Sequence, residues 1–176
     1  MEPIRIYDHT DLLEIHFEDI VKYHGKMAYM AVGAGYRVVQ AAFEALYGTN
    51  IPNRQDITIL SGHGGPGFRD VFEFVTRAVT RGVYTVDPTY PVAQYDPHRP
   101  TGYAYVFTRT TDGKKVEVSL NEDYLPPLFY DYLKIGRERE LTAEETVFFI
   151  QLKEDMCNKA LTTPLEQLVT VKMLTS

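Results

Sequence analysis

Apolar positions along the chain divide it into helical and extended stretches. Leu12, Ile15, Ile20 and Tyr23 fall on one side of a helix predicted from Asp11 to about His24. Thr10 serves as its N-cap, Glu14 lies near its first turn, and His24-Gly25 breaks it. A second helix is predicted over residues 28–47, rich in small residues (Ala31, Gly33, Ala34, Gly35, Ala41, Ala42) and stopped by Gly48. Glycine inside a helix costs about 1 kcal/mol against alanine, so Gly33 and Gly35 in one turn imply close backbone packing against another element or a ligand. Residues 56–61 predict a short strand, Phe68 to Arg81 a helix closed by Gly82, and residues 83–86 another short strand. The stretch 87–101, with Pro88, Pro91, Pro97 and Pro100, predicts an irregular surface loop.

Residues 103–110 and 114–120 are rich in β-branched and aromatic side chains and flank Asp112-Gly113, which is the signature of a β-hairpin. Tyr124 to Ile135 predicts a helix. Thr142-Ala143-Glu144-Glu145 has the spacing of a capping box and opens a long helix to about Lys159. Residues 169–174 predict a last strand. At 176 residues, with no repeat, low-complexity segment or linker, the chain reads as one α+β domain.

Composition narrows the function classes. With 44% hydrophobic residues the chain can bury a continuous core, yet it has no apolar run of membrane-spanning length. The first residues, Met1 to Asp8, lack a basic segment leading into an apolar one, so a cytoplasmic location is expected. The net charge of -6 and the absence of a Lys/Arg cluster speak against nucleic acid as a partner. Cys157 is the only cysteine and can make neither an internal disulfide nor a thiolate metal cage.

Two segments carry candidate chemistry. Gly62, Gly64 and Gly67 satisfy G-x-G-x-x-G between a strand and a helix, where backbone N–H groups and the helix dipole favour an anion. Asp87 even stands 20 residues beyond Gly67, near the place of a ribose-binding acid. A dinucleotide fold needs several βαβ units, however, and this chain opens with helices and continues into a hairpin. His63, inside the loop, is the residue that tilts the reading from a plain turn toward a ligand loop.

The second segment is Tyr23-His24-Gly25-Lys26-Met27-Ala28-Tyr29, followed by Gly35-Tyr36-Arg37. It resembles the signature of the FmdE-like family of formylmethanofuran dehydrogenase proteins, which reads His-Gly-His-x-Cys-Pro-Gly and then Gly-Tyr-Arg. Gly67-Phe68-Arg69-Asp70 resembles that family's Cys-x-x-Asp step. Residues 78–82, the 103–120 hairpin and residues 164–169 are similar as well. The resemblance spans roughly residues 10–174 and rests on order and spacing. It implies an α+β fold of helix, strand and helix followed by the hairpin and a further strand, with a mixed sheet covered by helices. It also implies a homodimer and a setting in anaerobic one-carbon or metal-linked metabolism.

The departures from that family are chemical. Lys26 stands where the family has its second histidine, Ala28 and Gly67 where it has cysteines, and Tyr29 where it has proline. Without soft thiolates, and with an ammonium that repels divalent cations, the family's metal site is expected to be lost. Three readings stay open. In the first, His24, Lys26, Arg37, His63 and Arg69 bind a small anion, a carboxylate or phosphate, with Asp70 orienting one of the bases. In the second, His16, His24 and His63 form a rebuilt metal site, of the zinc type, that activates water. In the third, the protein is a non-catalytic assembly partner.

Bland readings stand beside these. Histidines on half-buried helices are often packing residues, Arg37 can pair with Glu44 or Asp70, and an exposed Lys26 is only a solvated charge. Asp70 and Glu73 resemble helix-surface ion-pair partners for Arg69 and Arg77. Cys157 lacks an activating neighbour, and a Ser61–His63 pair lacks an assignable orienting acid. Tyr124, Phe129, Tyr130 and Tyr132 have the spacing of a core or dimer face.

Overall fold

A computed structural model describes residues 1–92, 96–99 and 101–175. The fold is α+β. An N-terminal hairpin of β1 (Ile4–Asp8) and β2 (Asp11–Ile15) precedes α1 (Phe17–His24) and α2 (Tyr29–Tyr47). Next come β3 (Ile57–Ser61), α3 (Pro66–Thr76), β4 (Tyr84–Val86), β5 (Ala104–Arg109) and β6 (Lys115–Leu120). The chain closes with α4 (Pro127–Glu138), α5 (Ala143–Thr162), the single turn α6 (Leu165–Leu168) and β7 (Val169–Leu174). The main sheet runs β4-β3-β5-β6-β7, with β3 and β4 parallel and all other neighbours antiparallel. No helix among the described residues is long and apolar enough to cross a membrane.

The first half of the predicted opening helix is instead a strand. Asp11–Ile15 pairs antiparallel with β1, Ile4 opposite Ile15, and His9 makes the turn at φ 56°. Ile4 and Ile6 are buried while Arg5 between them is exposed, so the two-residue alternation lay just before the helical pattern. Helix α1 starts only after His16, whose backbone N–H donates to the Asp19 carboxylate at 3.0 Å.

Two other boundaries moved for local reasons. α3 ends at Thr76, not Arg81: Arg77 turns left-handed at φ 55°, and the Glu73 carboxylate accepts the N–H groups of Val79 and Thr80. α4 begins at Pro127, not Tyr124, because Pro126-Pro127 fit a helix start and not its interior. The hairpin, the Thr142 capping box (Glu145 N–H to Thr142 Oγ1, 3.1 Å) and β7 form where the pattern put them. Of the proline-rich loop, residues 93–95 and Pro100 lie outside the described residues.

Helix α2 is the centre of the molecule, with fourteen of its nineteen residues buried. Its partners are β6 and β7 of the sheet, α3 on one side and α5 on the other. Phe68 and Phe72 of α3 reach the sheet through Tyr105 and Phe107. The two helix glycines serve these contacts. A Cβ on Gly35 would press on Phe68 and Val71, and one on Gly33 would lie 2.6 Å from Cys157 Sγ and 3.2 Å from Cys157 Cα in α5.

That last contact has a measurable consequence. Alanine is the better helix former by about 1 kcal/mol, but the backbone of Cys157 cannot rotate out of the way. Gly33→Ala is expected to destabilise the protein by about 1–3 kcal/mol. The check is a lower urea midpoint at unchanged slope; a midpoint equal to wild type would mean that α2 and α5 have room to spare.

Candidate ligand-binding cavity

The glycine loop is a compact device for holding His63. Ser61 Oγ donates to the His63 carbonyl at 2.7 Å and accepts the His63 N–H at 3.2 Å, fixing the backbone as it leaves β3. The Gly65 N–H donates to His63 Nδ1 at 3.0 Å. Gly65 must be glycine for this, because a Cβ there would lie 2.2 Å from His63 Cε1. The imidazole stacks on Tyr103 with centroids 4.5 Å apart and meets Phe68 edge-on. Since Nδ1 is an acceptor, the neutral ring carries its proton on Nε2, which has no hydrogen-bond partner among the described residues. Burial, reinforced by the Arg99 guanidinium, lowers the His63 pKa to about 4.

Next to this loop α3 approaches α2 very closely. A Cβ on Gly67 would stand 2.5 Å from the Cβ of Ala31 and 2.9 Å from that of Ala28. Above that contact opens a cavity of about 260 Å³. Its walls are mostly apolar: Met27, Met30, Phe68, Tyr103, Phe129 and Phe149 are among them. Besides the Tyr103 hydroxyl, three side chains bring polarity, namely His63, Arg99 and Lys153, and no Asp or Glu lines the cavity among the described residues. Arg99 is paired with Asp96, whose side chain is fully buried (Nε to Oδ2, 3.0 Å). Lys153 of α5 donates to the Met27 carbonyl at 2.7 Å and lies 4.5 Å from the centroid of Phe149. It has no carboxylate partner among the described residues, and burial pushes its pKa below the ordinary lysine value.

The structure distributes the residues singled out from sequence over three places. His63 lines the cavity. His24, Asp70 and Arg69 form a separate cluster on α1 and α3. There His24 Nδ1 lies 2.7 Å from Asp70 Oδ2, Arg69 reaches Asp70 Oδ1 at 3.1 Å, and the buried His24 Nε2 has no partner among the described residues. Lys26 and Arg37 belong to neither. Lys26 is exposed, 5.7 Å over the Tyr29 ring. Arg37 bonds to Gln40 Oε1 (2.6 Å) and to the Thr163 carbonyl (3.0 Å), tying α2 to the end of α5 rather than pairing with Glu44 or Asp70.

His16, His24 and His63 are not brought together. His16 is exposed ahead of α1 and His24 ends it, about 12 Å apart along the axis at helical rise. No group of three His, Cys, Asp or Glu among the described residues could hold a metal ion. Cys157 is buried with its thiol pushed up to about 12, which removes it as a nucleophile. Phe129 and Tyr130 are core residues, and Tyr132 stacks on Phe148 and Phe149.

Arg99 and Lys153 were not singled out from sequence. Arg99 lies in the proline-rich loop, where no periodicity points to it. Lys153 did leave a trace: it interrupts the apolar stripe Phe149, Met156, Cys157 and Ala160 on the buried side of α5. No family model matches the chain, and no curated protein matches it.

The depressed His63 pKa has a defined sign. Between pH 6.5 and about 4 the unfolded chain takes up a proton that the folded ring refuses, so stability is complete above pH 6.5 and falls as the pH drops through that window. The fall from this one group is expected to reach about 3 kcal/mol, from 1.36 kcal/mol per pKa unit. Urea unfolding at pH 7.5, 6 and 5 measures it, and His63→Asn should flatten the dependence. An imidazole that titrates above pH 6 by NMR would contradict it.

Proposed function

We propose that the protein binds a small organic anion in the cavity between α2, α3 and α5, with Lys153 as its counter-charge. The observation that carries this is an ammonium lodged beside Phe149 in a mostly apolar cavity with no Asp or Glu among its described lining residues. A half-buried charge without a counter-charge is costly, and an incoming anion offsets that cost while the apolar walls take the body of the ligand. Arg99 and the His63 Nε2–H are further donors around the same space. At about 260 Å³ the cavity is below the ~300–1,000 Å³ of drug-sized sites, so its occupant is a small metabolite.

The adjacency of Ala28 and Gly67 on the cavity wall supports the resemblance to the FmdE-like family, which has its cysteines at these two positions. With methyl and hydrogen in place of thiolates, that wall is apolar here. On this reading the chain is a cytoplasmic, homodimeric accessory protein of anaerobic one-carbon or metal-linked metabolism, in which an organic ligand occupies the place where relatives hold a metal. The charge at that place comes from Lys153 on α5, not from the exposed Lys26.

The test is an NMR titration of the labelled protein with benzoate and hexanoate beside the neutral benzamide and hexanamide. The acids are expected to shift the amides of Met27, Gly67 and Phe149, and the neutral analogues to do so about tenfold more weakly or not at all. Lys153→Met should reduce the affinity for the acids by about tenfold or more, the worth of a charge-assisted hydrogen bond. Equal binding of acid and amide, or an unchanged Lys153→Met variant, would refute the proposal.

A further inference from the structure

The chemistry of the ligand can be read from a charge count and from the shape of the walls; this step rests on the anion-binding reading above. The charged side chains lining the cavity are Arg99 and Lys153. Arg99 is already neutralised: the buried Asp96 carboxylate takes its Nε–H at 3.0 Å and uses its other oxygen for the His98 N–H at 2.9 Å. His63 is held neutral by the Gly65 N–H on Nδ1, since protonating that nitrogen would set two N–H groups against each other. One positive charge, that of Lys153, therefore remains for the occupant.

The walls are largely aromatic. Tyr103, Phe68, Phe129 and Phe149 surround the space, His63 is stacked on Tyr103 with 24° between the rings, and Phe129 packs at 5.9 Å from Phe149. Aromatic surfaces hold another ring face-offset or edge-on and gain more than its buried area alone supplies. Met27 and Met30 add polarizable thioethers that favour ring contacts and adapt to substituents.

We infer that the ligand is an aromatic monocarboxylate, its carboxylate on Lys153 and its ring among Tyr103, Phe129 and Phe149. The His63 Nε2–H supplies a neutral donor, suited to the second carboxylate oxygen or to a ring substituent that accepts a hydrogen bond. A phosphate ester carries a second negative charge that these walls leave uncompensated, so the carboxylate is selected over the phosphate. The sequence left that choice open.

Isothermal titration of the full chain with three probes tests it: benzoate, cyclohexanecarboxylate and phenyl phosphate at pH 7.5. Benzoate is expected to bind about three- to tenfold more tightly than cyclohexanecarboxylate, although the saturated ring is the more hydrophobic. It should exceed phenyl phosphate by about tenfold or more. Cyclohexanecarboxylate binding as well as benzoate would overturn the aromatic assignment and leave anion binding intact. Phenyl phosphate binding more tightly would overturn the charge count. If none of the three binds, anion binding itself falls. Phe149→Leu, which keeps an apolar wall, should erase most of the preference for benzoate over its saturated analogue; an unchanged ratio would contradict the inference.

Discussion

The site depends on how closely two helices can approach. At Gly67 the start of α3 meets α2 with no side chain between them; any Cβ there would collide with Ala31 and Ala28. That approach brings the glycine loop and His63 up against the beginning of α2. A second glycine contact, Gly33 on Cys157, does the same for α5 on the other side. With α3 and α5 both drawn onto α2, the cavity opens between them beside Phe129 and Leu133 of α4, and Lys153 on α5 is carried to its wall. Larger residues at 33 or 67 would force the helices apart and change the distance between His63 and Lys153. Gly33, which costs helix propensity, and Gly67 at the start of α3 therefore set the geometry of the site.

Electrostatics then decide what the geometry is good for. The protein is acidic overall, with a net charge of -6, yet among the described residues no acid lines the cavity. Asp96 lies behind Arg99 and cancels it, while Lys153 has only a carbonyl and a ring for company. Burial keeps the His63 ring neutral and the Gly65 N–H fixes its tautomer, so it serves as a hydrogen-bond donor at neutral pH rather than as a base. This arrangement suits the recognition of one negative charge on an apolar body. The His24–Asp70 pair, whose buried Nε2 has no partner among the described residues, lies outside the cavity lining and ties α1 to α3.

Much of the fold was legible because its elements follow from local chemistry: the Asp112-Gly113 hairpin, the Thr142 box, the glycine-rich second helix and the final strand. The N-terminal hairpin was not, since the five residues of β2 sit where Leu12 and Ile15 continue the apolar period of α1, and pairing with Ile4–Asp8 overrides it. The site was legible in part. His63 followed from its place in the glycine loop, and Gly33 from its cost in a helix. Arg99 and Lys153 could not be placed, because what gives them a role is tertiary. A lysine four residues before Cys157 becomes a cation without a counter-charge among the described residues only once α5 packs on α2, and a loop arginine acquires meaning only from the buried acid next to it. Lys26 drew attention through the segment it occupies, but the break at Gly25, φ 81°, leaves its amine over Tyr29 and exposed.

The most direct measurement is a crystal structure of the full chain grown with 4-bromobenzoate, the bromine located by anomalous scattering. The carboxylate should lie within hydrogen-bond distance of Lys153 Nζ, and the bromine among Phe129, Tyr103 and Phe149. Bromine found instead in the larger cleft of about 530 Å³ beside Leu12, Tyr23 and Arg77, with the cavity at Lys153 vacant, would contradict the assignment of the site.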